Sequence, residues 1–437
     1  MKRIGQCRLS GRREKGAHQL PFGARAMVKP GRLDELRGVL EHFRAEGDGG
    51  PGFPFDRMSG VHFGRLVLLE ESKAEGQPPI PASLMIMSDI DAPLGRHLDE
   101  LATLAGAALD ATFGLCEDYP EAPAPADRIA YLRAREITPM ATYVNTVSRT
   151  LGQIRGEAEL RDRIEEFLDR DRGDLPQDPE GVRAAIQRFV GEDPDLRWAL
   201  RRAPRPSLRW RLTESLHAVA GAAMLAFAAP LAFLLLPLYL IALRLHERSD
   251  PAPHIRPTPE HAARLAALED FGAQNQFTAI GYVKQGSLRR LTIRLVLWLT
   301  NYSARHVFVR GGLAGVKTIH FARWTPVDDF RRVIFTSAYD GSLEGYNDDF
   351  IDRVAYGLNA SFSNGVGYPH TRFLLFDGAK REQEFKDYLR RHQIPTQIFY
   401  SAYDRLTAVN IENNALIRSG LSGTLAPADA EAWLRRL

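Results

Sequence analysis

The chain has 437 residues, a formal net charge of +3 and 44% hydrophobic residues, which allows two or three domains that each bury a core. This small charge, with no block of Lys and Arg interleaved with aromatic residues, gives no reason to expect a nucleic-acid partner. Cys7 and Cys116 lie far apart and near no His cluster, so they form neither a disulfide framework nor a zinc site. This cysteine usage fits a reducing compartment.

The N-terminal part of the chain is predicted to be a basic arm followed by an α+β unit. Residues 1–17 are basic with no apolar segment behind them, so we predict a flexible arm rather than a secretory signal. Residues 18–165 follow the order strand-helix-strand-strand-helix-strand, which is the ferredoxin-like pattern. The predicted strands and the long amphipathic helix lie at residues 22–28, 62–69, 83–88, 98–113 and 140–145.

The middle of the chain is dominated by an uncharged apolar run. Residues 166–212 are predicted to form a charged helical linker, and residues 213–248 a membrane-inserting segment. Within that segment, residues 218–243 contain no charge, and roughly 20 apolar helical residues span a bilayer once. Arginines crowd the entrance to the run, so the positive-inside tendency places that side in the cytoplasm. They are Arg201, Arg202, Arg205, Arg209 and Arg211.

The second part of the chain repeats the α+β pattern. Residues 249–273 are predicted to be a linker, residues 274–425 a second ferredoxin-like unit, and residues 426–437 a tail. Its strands and long helix are predicted at residues 277–283, 320–324, 333–338, 343–362 and 397–401. Residues 289–302 combine arginines with a Leu/Ile/Trp face, which is typical of a helix in the headgroup plane or of a helix that covers its sheet.

Matching segments in the two parts indicate an internal duplication. Residues 131–137 (YLRAREI) match residues 388–394 (YLRRHQI), and residues 61–65 (VHFGR) match residues 319–323 (IHFAR). We therefore predict an α+β fold of two tandem ferredoxin-like units whose sheets pack as a pseudo-dimer, with a cavity between sheet and helices.

This packing restricts how the apolar run meets the membrane. Two units packed together must lie on one side of a bilayer, and one full crossing would separate them. Because Pro230 and Pro237 can kink the helix, we expect a re-entrant hairpin in monotopic insertion. A single span and a buried helix of a soluble domain are the alternatives.

Groups suited to chemistry concentrate in the second unit. His320 and Arg323 lie in its second strand, where alternation points them apart unless a bulge intervenes. Asp340 follows the third strand, either as a helix cap or as a carboxylate for proton transfer at the mouth of the cavity. His62 and Arg65 repeat the pair in the first unit, as structural groups or as the lining of a second pocket. The other candidate ligand-binding residues are Tyr346, Asn364, Tyr368 and Asn410.

The segment Ser337-Ala-Tyr-Asp340-Gly341 in a duplicated ferredoxin-like chain resembles the superfamily of dye-decolourising peroxidases and chlorite dismutases. That resemblance implies a haem in the second unit, with Asp340 and Arg405 or Arg323 handling peroxide. It implies His392 or His370 as the iron ligand, with His320 a further alternative. Ser337 stands where the family motif has glycine. The segments IHFARW and NGVGYP also resemble uncharacterised bacterial membrane-associated proteins of this build.

Three functions follow as expectations. The first is a membrane-associated protein on the cytoplasmic face that binds a lipid or hydrophobic small molecule in the cavity of the second unit. The second is a haem-dependent peroxidase or oxygenase acting on a hydrophobic substrate. The third is a cofactor-free enzyme with Asp340 as its base. The sequence predicts no oligomeric state.

Overall fold

A mixed α and β fold with antiparallel sheets is found in the computed structural model, which describes residues 18–45, 53–73, 78–251, 254–309, 311–423 and 425–437. The predicted arm at residues 1–17 lies outside the described residues. The chain divides into a larger unit, Gln19–Val147 with Thr213–Ala408, and a smaller unit that includes Ser148–Leu212 and Val409–Leu437.

The first part of the larger unit contains the predicted strands and helices. They are β1 (Gln19–Met27), α1 (Leu33–Ala45), β2 (Val61–Leu69), β3 (Ser83–Asp91), α2 (Leu94–Leu104), α3 (Gly106–Phe113), α4 (Pro125–Ala134) and β4 (Ala141–Val144). Every residue of β2 is buried, as expected for a strand covered on both faces. The single helix predicted at residues 98–113 is two helices, because Ala105 leaves the helical conformation.

The apolar run forms one long helix rather than the hairpin that we expected. The helices in the middle of the chain are α5 (Leu151–Arg170), α6 (Pro179–Glu192), α7 (Leu208–Ser249) and α8 (Pro259–Ala266). Pro230 and Pro237 both lie inside α7, which has 42 residues and a length of about 63 Å at 1.5 Å per residue. A proline removes one backbone hydrogen bond, and the surrounding Ala and Leu residues are strong helix formers that continue the helix.

The second part of the chain begins with the same strand-helix-strand-strand-helix order as the first. Its elements are β5 (Gln274–Tyr282), α9 (Ser287–His306), β6 (Ile319–Val327), β7 (Arg332–Asp340), α10 (Leu343–Phe362), β8 (Thr371–Arg372), β9 (Phe376–Asp377), α11 (Glu382–His392), β10 (Ile398–Ser401), α12 (Ala408–Leu421) and α13 (Pro427–Leu434). The helix predicted at residues 343–362 has the observed bounds of α10, and β8 and β9 form a small hairpin.

The two four-stranded sheets exchange their edge strands. The first sheet has the order β1-β3-β2-β10 and the second the order β4-β6-β7-β5, with every pairing antiparallel. Tyr400 of β10 pairs with Gly64 of β2, and Tyr143 of β4 pairs with Ala322 of β6. Strands that precede α7 in the sequence are therefore hydrogen-bonded to strands that follow it.

Three apolar layers hold the larger unit together. Helices α1 to α4 cover the first sheet through residues such as Leu36 and Phe113, and α9 to α11 cover the second through residues such as Leu297 and Phe385. A further cluster joins the sheets themselves. It contains Val67, Leu69, Met85, Met87, Val327 and Ile334.

The smaller unit is a helical cluster. Its core joins residues from both of its segments, namely Leu160, Ile164, Ile186, Val190, Leu196, Ala199, Ile417, Leu421 and Trp433. A buried ion pair links the segments, because Arg418 Nη1 lies 3.2 Å from Glu157 Oε1. Burial raises the pKa of Glu157, which opposes this pairing.

Gly64 allows β2 to pass directly over an aromatic ring. A Cβ atom at this position would lie 2.8 Å from carbon atoms of the buried Phe55 ring. Gly64→Ala should therefore lower the free energy of unfolding by about 1–3 kcal/mol through overpacking. Urea unfolding checks this value. Gly38→Ala is the matched control, because no atom lies within 4 Å of the added group and alanine favours helix α1. An unchanged stability for Gly64→Ala would show that Phe55 moves aside freely.

Candidate functional site

A buried histidine sits at a β-bulge in β2 and again in β6. The register shifts between Val61 and Phe63 and between Ile319 and Phe321, which places His62 and His320 at the two irregularities. Each histidine meets a carboxylate at the end of the neighbouring strand. The distance from Nε2 to Oδ1 is 3.0 Å for His62 with Asp91 and 2.6 Å for His320 with Asp340.

Aromatic rings enclose both histidines. The His62 ring lies 5.6 Å from that of Phe321, and the His320 ring lies 5.4 Å from that of Phe63. Tyr403 contacts both histidines, and its hydroxyl lies 3.1 Å from Nδ1 of His62. Both imidazoles are fully buried, so the arrangement fixes the two bulges and gives a dissolved substrate no direct access.

Asp340 serves as a structural acceptor. One carboxylate oxygen faces His320, and the other accepts a hydrogen bond of 2.8 Å from the backbone N–H of Ala408. Ala408 is the first residue of α12, so Asp340 satisfies a free donor at a helix N-terminus. The predicted cap of the helix that follows β7 is instead Ser342, whose side chain accepts from the backbone N–H of Gly345, and both Asp340 oxygens are engaged in a buried position.

The side chains of two buried arginines extend from one sheet to the other. Arg323 donates from Nη2 to Asp89 Oδ1 at 2.6 Å, and from Nη1 to a backbone carbonyl oxygen of β1 at 2.8 Å. Arg65 donates in the opposite direction to backbone carbonyl oxygens of β5 and β7. Burial lowers the pKa of Arg65 to about 10, while the charge of Asp89 raises it and that of Arg323 lowers it. The carboxylate of Asp89 thus compensates the positive charges of both Arg323 and Arg65 at the interface between the sheets.

Three predicted ligand-binding residues are buried within the second sheet and its helices. Tyr346 stacks on Tyr339 with ring centroids 4.1 Å apart. The Tyr368 hydroxyl donates to Asn359 Oδ1 at 2.8 Å. The backbone carbonyl oxygen of Asn364 accepts a hydrogen bond of 2.8 Å from the backbone N–H of Lys284. These contacts are internal to the fold.

The remaining predicted site residues lie elsewhere. Arg405 is exposed in the segment between β10 and α12. Asn410 is in α12 and belongs to the smaller unit. The predicted residues therefore do not line one pocket in the second part of the chain.

The three histidines proposed as iron ligands lie in three different environments. His320 is bonded to Asp340 among packed rings, and His370 is exposed. His392 has its Nδ1 2.8 Å from the Tyr388 carbonyl oxygen, and burial lowers its pKa to about 4. Its ring lies close over Gly281, where an added Cβ would be 3.3 Å from Cδ2. Among the described residues, no group of three His, Cys, Asp or Glu could hold a metal ion.

A basic cavity of about 480 Å³ lies between α1, α8 and the β2–β10 edge. Arg37, Arg44 and Arg264 line it, together with the apolar side chains of Leu68 and Leu268. Arg37 is paired with acidic residues, whereas Arg44 and Arg264 make no ion pair with another described residue. The cavity can accept a small anion. This cavity could not be predicted from sequence patterns, because its walls come from both parts of the chain.

The largest exposed apolar surface belongs to α7. Every residue from 222 to 238 is exposed, and Phe227 reaches 91%. Among the described residues, α7 is the one helix that is long and apolar enough to cross a membrane. A helix that is apolar on all sides is normally buried in a protein core or in a bilayer, and only 6% of this apolar window is buried in the protein.

Helix α9 adds an exposed apolar stripe. Leu291, Leu295 and Leu299 recur at a spacing of four residues and are exposed, while Ile293 and Leu297 face the core. The interpretation of residues 289–302 as a helix that covers its sheet holds for the buried face, and the headgroup-plane interpretation stays a prediction for the exposed face. One face covers the second sheet, and the other presents leucines to the surroundings.

The larger unit holds both ends of α7. Near its start, the Tyr302 hydroxyl donates to the Ala218 carbonyl oxygen at 2.7 Å, and Arg305 pairs with Glu214. Near its end, the buried Glu247 carboxylate accepts hydrogen bonds from Thr371 and from the backbone N–H groups that follow. Contacts with the larger unit therefore fix α7 near both of its ends, and the apolar residues between these contacts are exposed.

No protein-family model, no curated protein and no solved structure matches this chain. The resemblance to dye-decolourising peroxidases and chlorite dismutases accordingly stays a prediction that is based on Ser337, Asp340, Gly341 and the repeated strand order. The surface of the protein is therefore the basis for its function. An exposed apolar surface of this size, formed by α7 and the leucine stripe of α9, indicates contact with a protein or a membrane.

Proposed function

We propose that this protein is a monotopic membrane protein that inserts α7 into one leaflet and holds its two sheets at the surface of that leaflet. The observation that carries this proposal is the complete exposure of residues 222–238 on every side of a helix. Such a surface is unfavourable in water, whereas the hydrocarbon region accepts a helix whose backbone groups are hydrogen-bonded internally.

The exchanged strands support insertion from one side. β4 precedes α7 and pairs with β6, and β10 follows α7 and pairs with β2. A single crossing would place hydrogen-bonded strands on opposite sides of the bilayer. Helix α7 therefore enters and leaves through the same face, although its length would allow a span. The arginines that precede the apolar run of α7, Arg209 and Arg211 among them, favour the cytoplasmic leaflet.

The exposed face of α9 fits the headgroup region beside α7. Arg290 and Arg294 are exposed next to Leu291 and Leu295. Arginine can keep its guanidinium at phosphate level while neighbouring leucines enter the acyl boundary. Membrane lipid is the partner that this surface supports, whereas binding of a separate hydrophobic small molecule stays a prediction.

Vesicle flotation tests the proposal. The triple variant Phe227→Asp, Leu231→Asp and Leu234→Asp places carboxylates along one face of α7 and should lose at least a hundredfold in vesicle affinity. One central carboxylate already costs about 2.5–3.5 kcal/mol on insertion. Leu104→Asp is the control, because it changes an exposed leucine on α2. Unchanged flotation of the triple variant would contradict the proposal.

Labelling from one side of sealed vesicles tests the topology. Cysteines introduced at Leu104, before α7, and at Val366, after it, are both at exposed positions. A membrane-impermeant maleimide should label both from the same face. Labelling from opposite faces would rule out the monotopic arrangement.

We also propose that the two halves arose by duplication of one ferredoxin-like unit. Both sheets share one strand order, and each has a bulge histidine paired with an aspartate at the end of the neighbouring strand. In this interpretation, each half donates its fourth strand to the other half.

A further inference from the structure

We propose that the hairpin between β8 and β9 is a second membrane contact, which enters the headgroup layer at the end of α7. Its tip, residues 373–376, has the sequence Phe-Leu-Leu-Phe and is called the FLLF loop. This inference rests on the proposed monotopic insertion and adds a second site to it.

The FLLF loop exposes three large apolar side chains. Phe373 is 37% exposed, and Leu375 and Phe376 are each 42% exposed, while Leu374 points into the core. Tyr356 of α10 lies beside the loop, with its ring 6.0 Å from that of Phe376 and nearly perpendicular to it. Together these residues form a partly exposed apolar and aromatic patch.

The loop is held rigidly in this conformation. Asn359 donates to the carbonyl oxygens of Leu375 and Asp377 at 2.8 and 3.1 Å. Phe373 and Leu374 have φ values of 54° and 62°, in the left-handed region that bulky residues rarely adopt. A preformed loop loses little conformational entropy when it binds, so its apolar area contributes to affinity more fully.

Direct contacts join the loop to α7. Glu247, in the last turn of α7, is buried and accepts hydrogen bonds from the backbone N–H groups of Phe373 and Leu374 at 2.9 and 2.8 Å. The loop is therefore fixed at the point where the apolar part of the helix has ended. If α7 lies in the leaflet, this point is at the level of the headgroups.

The charged side chains around the FLLF loop are suited to the headgroup region of a membrane. Arg372 lies over the Phe376 ring at 5.7 Å, and Lys380 lies over the Tyr356 ring at 5.6 Å. Cations above interfacial aromatic rings can reach lipid phosphates while the rings remain at the acyl boundary. Because Asp377 lies 3.8 Å from Arg372, we expect binding to depend on apolar insertion more than on anionic lipid.

Fluorescence quenching tests the depth of the loop. An environment-sensitive fluorophore is attached to Leu375→Cys in a chain that carries Cys7→Ser, with the buried Cys116 retained. On vesicles of phosphatidylcholine and phosphatidylglycerol, lipid nitroxides near the headgroup should quench most of its emission. Leu234→Cys on α7 should be quenched by deeper nitroxides, and Leu104→Cys should not be quenched.

The outcomes separate this inference from the proposed function. Quenching at position 234 without quenching at position 375 would overturn the loop contact and leave the insertion of α7 intact. Absence of quenching at both positions would overturn both.

An affinity measurement provides an independent readout. The double variant Leu375→Ser and Phe376→Ser should bind the same vesicles about tenfold more weakly, because part of two apolar side chains no longer inserts. Leu104→Ser is the control, and melting temperatures establish that each variant is folded. Wild-type affinity in the folded double variant would also overturn the inference.

Discussion

Replacement of Asp89 by alanine is expected to lower the free energy of unfolding by about 3–5 kcal/mol. Asp89 is buried and pairs with Arg323 at 2.6 Å. Its charge also favours the protonated form of Arg65, which is fully buried nearby. Its loss would leave two guanidinium groups in the sheet interface without a carboxylate, and water cannot solvate them there.

Urea unfolding at neutral pH measures this effect. Asp34→Ala is the matched control, because Asp34 also pairs with an arginine, Arg37 at 2.6 Å, but its side chain is 92% exposed. Exposed pairs contribute about 0–1 kcal/mol. A loss below about 1 kcal/mol for Asp89→Ala would show that another group balances the two arginines.

An apolar replacement of the whole pair separates charge from packing. Asp89→Leu with Arg323→Met removes the opposing charges together, so its destabilisation should be smaller than that of Asp89→Ala. Arg65 would still lack the neighbouring carboxylate of Asp89, so the double variant should remain less stable than the wild-type protein. Equal losses in the two variants would point to lost packing rather than to an unpaired charge.

The long elements could be predicted because their patterns are local. Buried strands such as β3 contain apolar runs, and α10 has apolar residues at helical spacing on both sides of a kink at Val354. The exchange of β4 and β10 could not be predicted in this way. Both have only four residues, and their own pattern does not specify which neighbouring edge they join. Likewise, the prolines of α7 indicated a hairpin, although a long helix tolerates them.

The candidate site was harder to predict because exposure is a tertiary property. The notable side chains of the second unit, such as His320 and Tyr346, are buried structural groups. By contrast, Phe373 and Leu375 have the composition of ordinary core residues, and hydrogen bonds with Asn359 and Glu247 help to hold them outward. The sequence predicted a membrane segment at residues 213–248, and the structure places there one helix that is long and apolar enough to cross a membrane.

Stability should fall as the pH drops below about 6.5, and His97 should account for a large part of this dependence. His97 is buried in α2 against Phe22, and neither ring nitrogen has a hydrogen-bond partner among the residues that the structure describes. Burial lowers its pKa to about 3. Between that value and its ordinary pKa, the unfolded chain binds one more proton than the folded chain. The free energy of unfolding therefore decreases by up to about 1.4 kcal/mol per pH unit.

His97→Leu should remove this contribution because leucine does not titrate and fills a comparable apolar space. In urea unfolding series, the slope of unfolding free energy against pH should be shallower in the variant by about 1.4 kcal/mol per unit between about pH 6 and pH 4. His392, whose pKa burial lowers to about 4, keeps a dependence of the same sign in both proteins. Above about pH 7.5 the slopes should coincide, since the imidazole of His97 is neutral in both states there. Identical slopes in the acidic range would mean that His97 takes up its proton in the folded chain, so water or an anion would have to reach it among the helices that cover the first sheet.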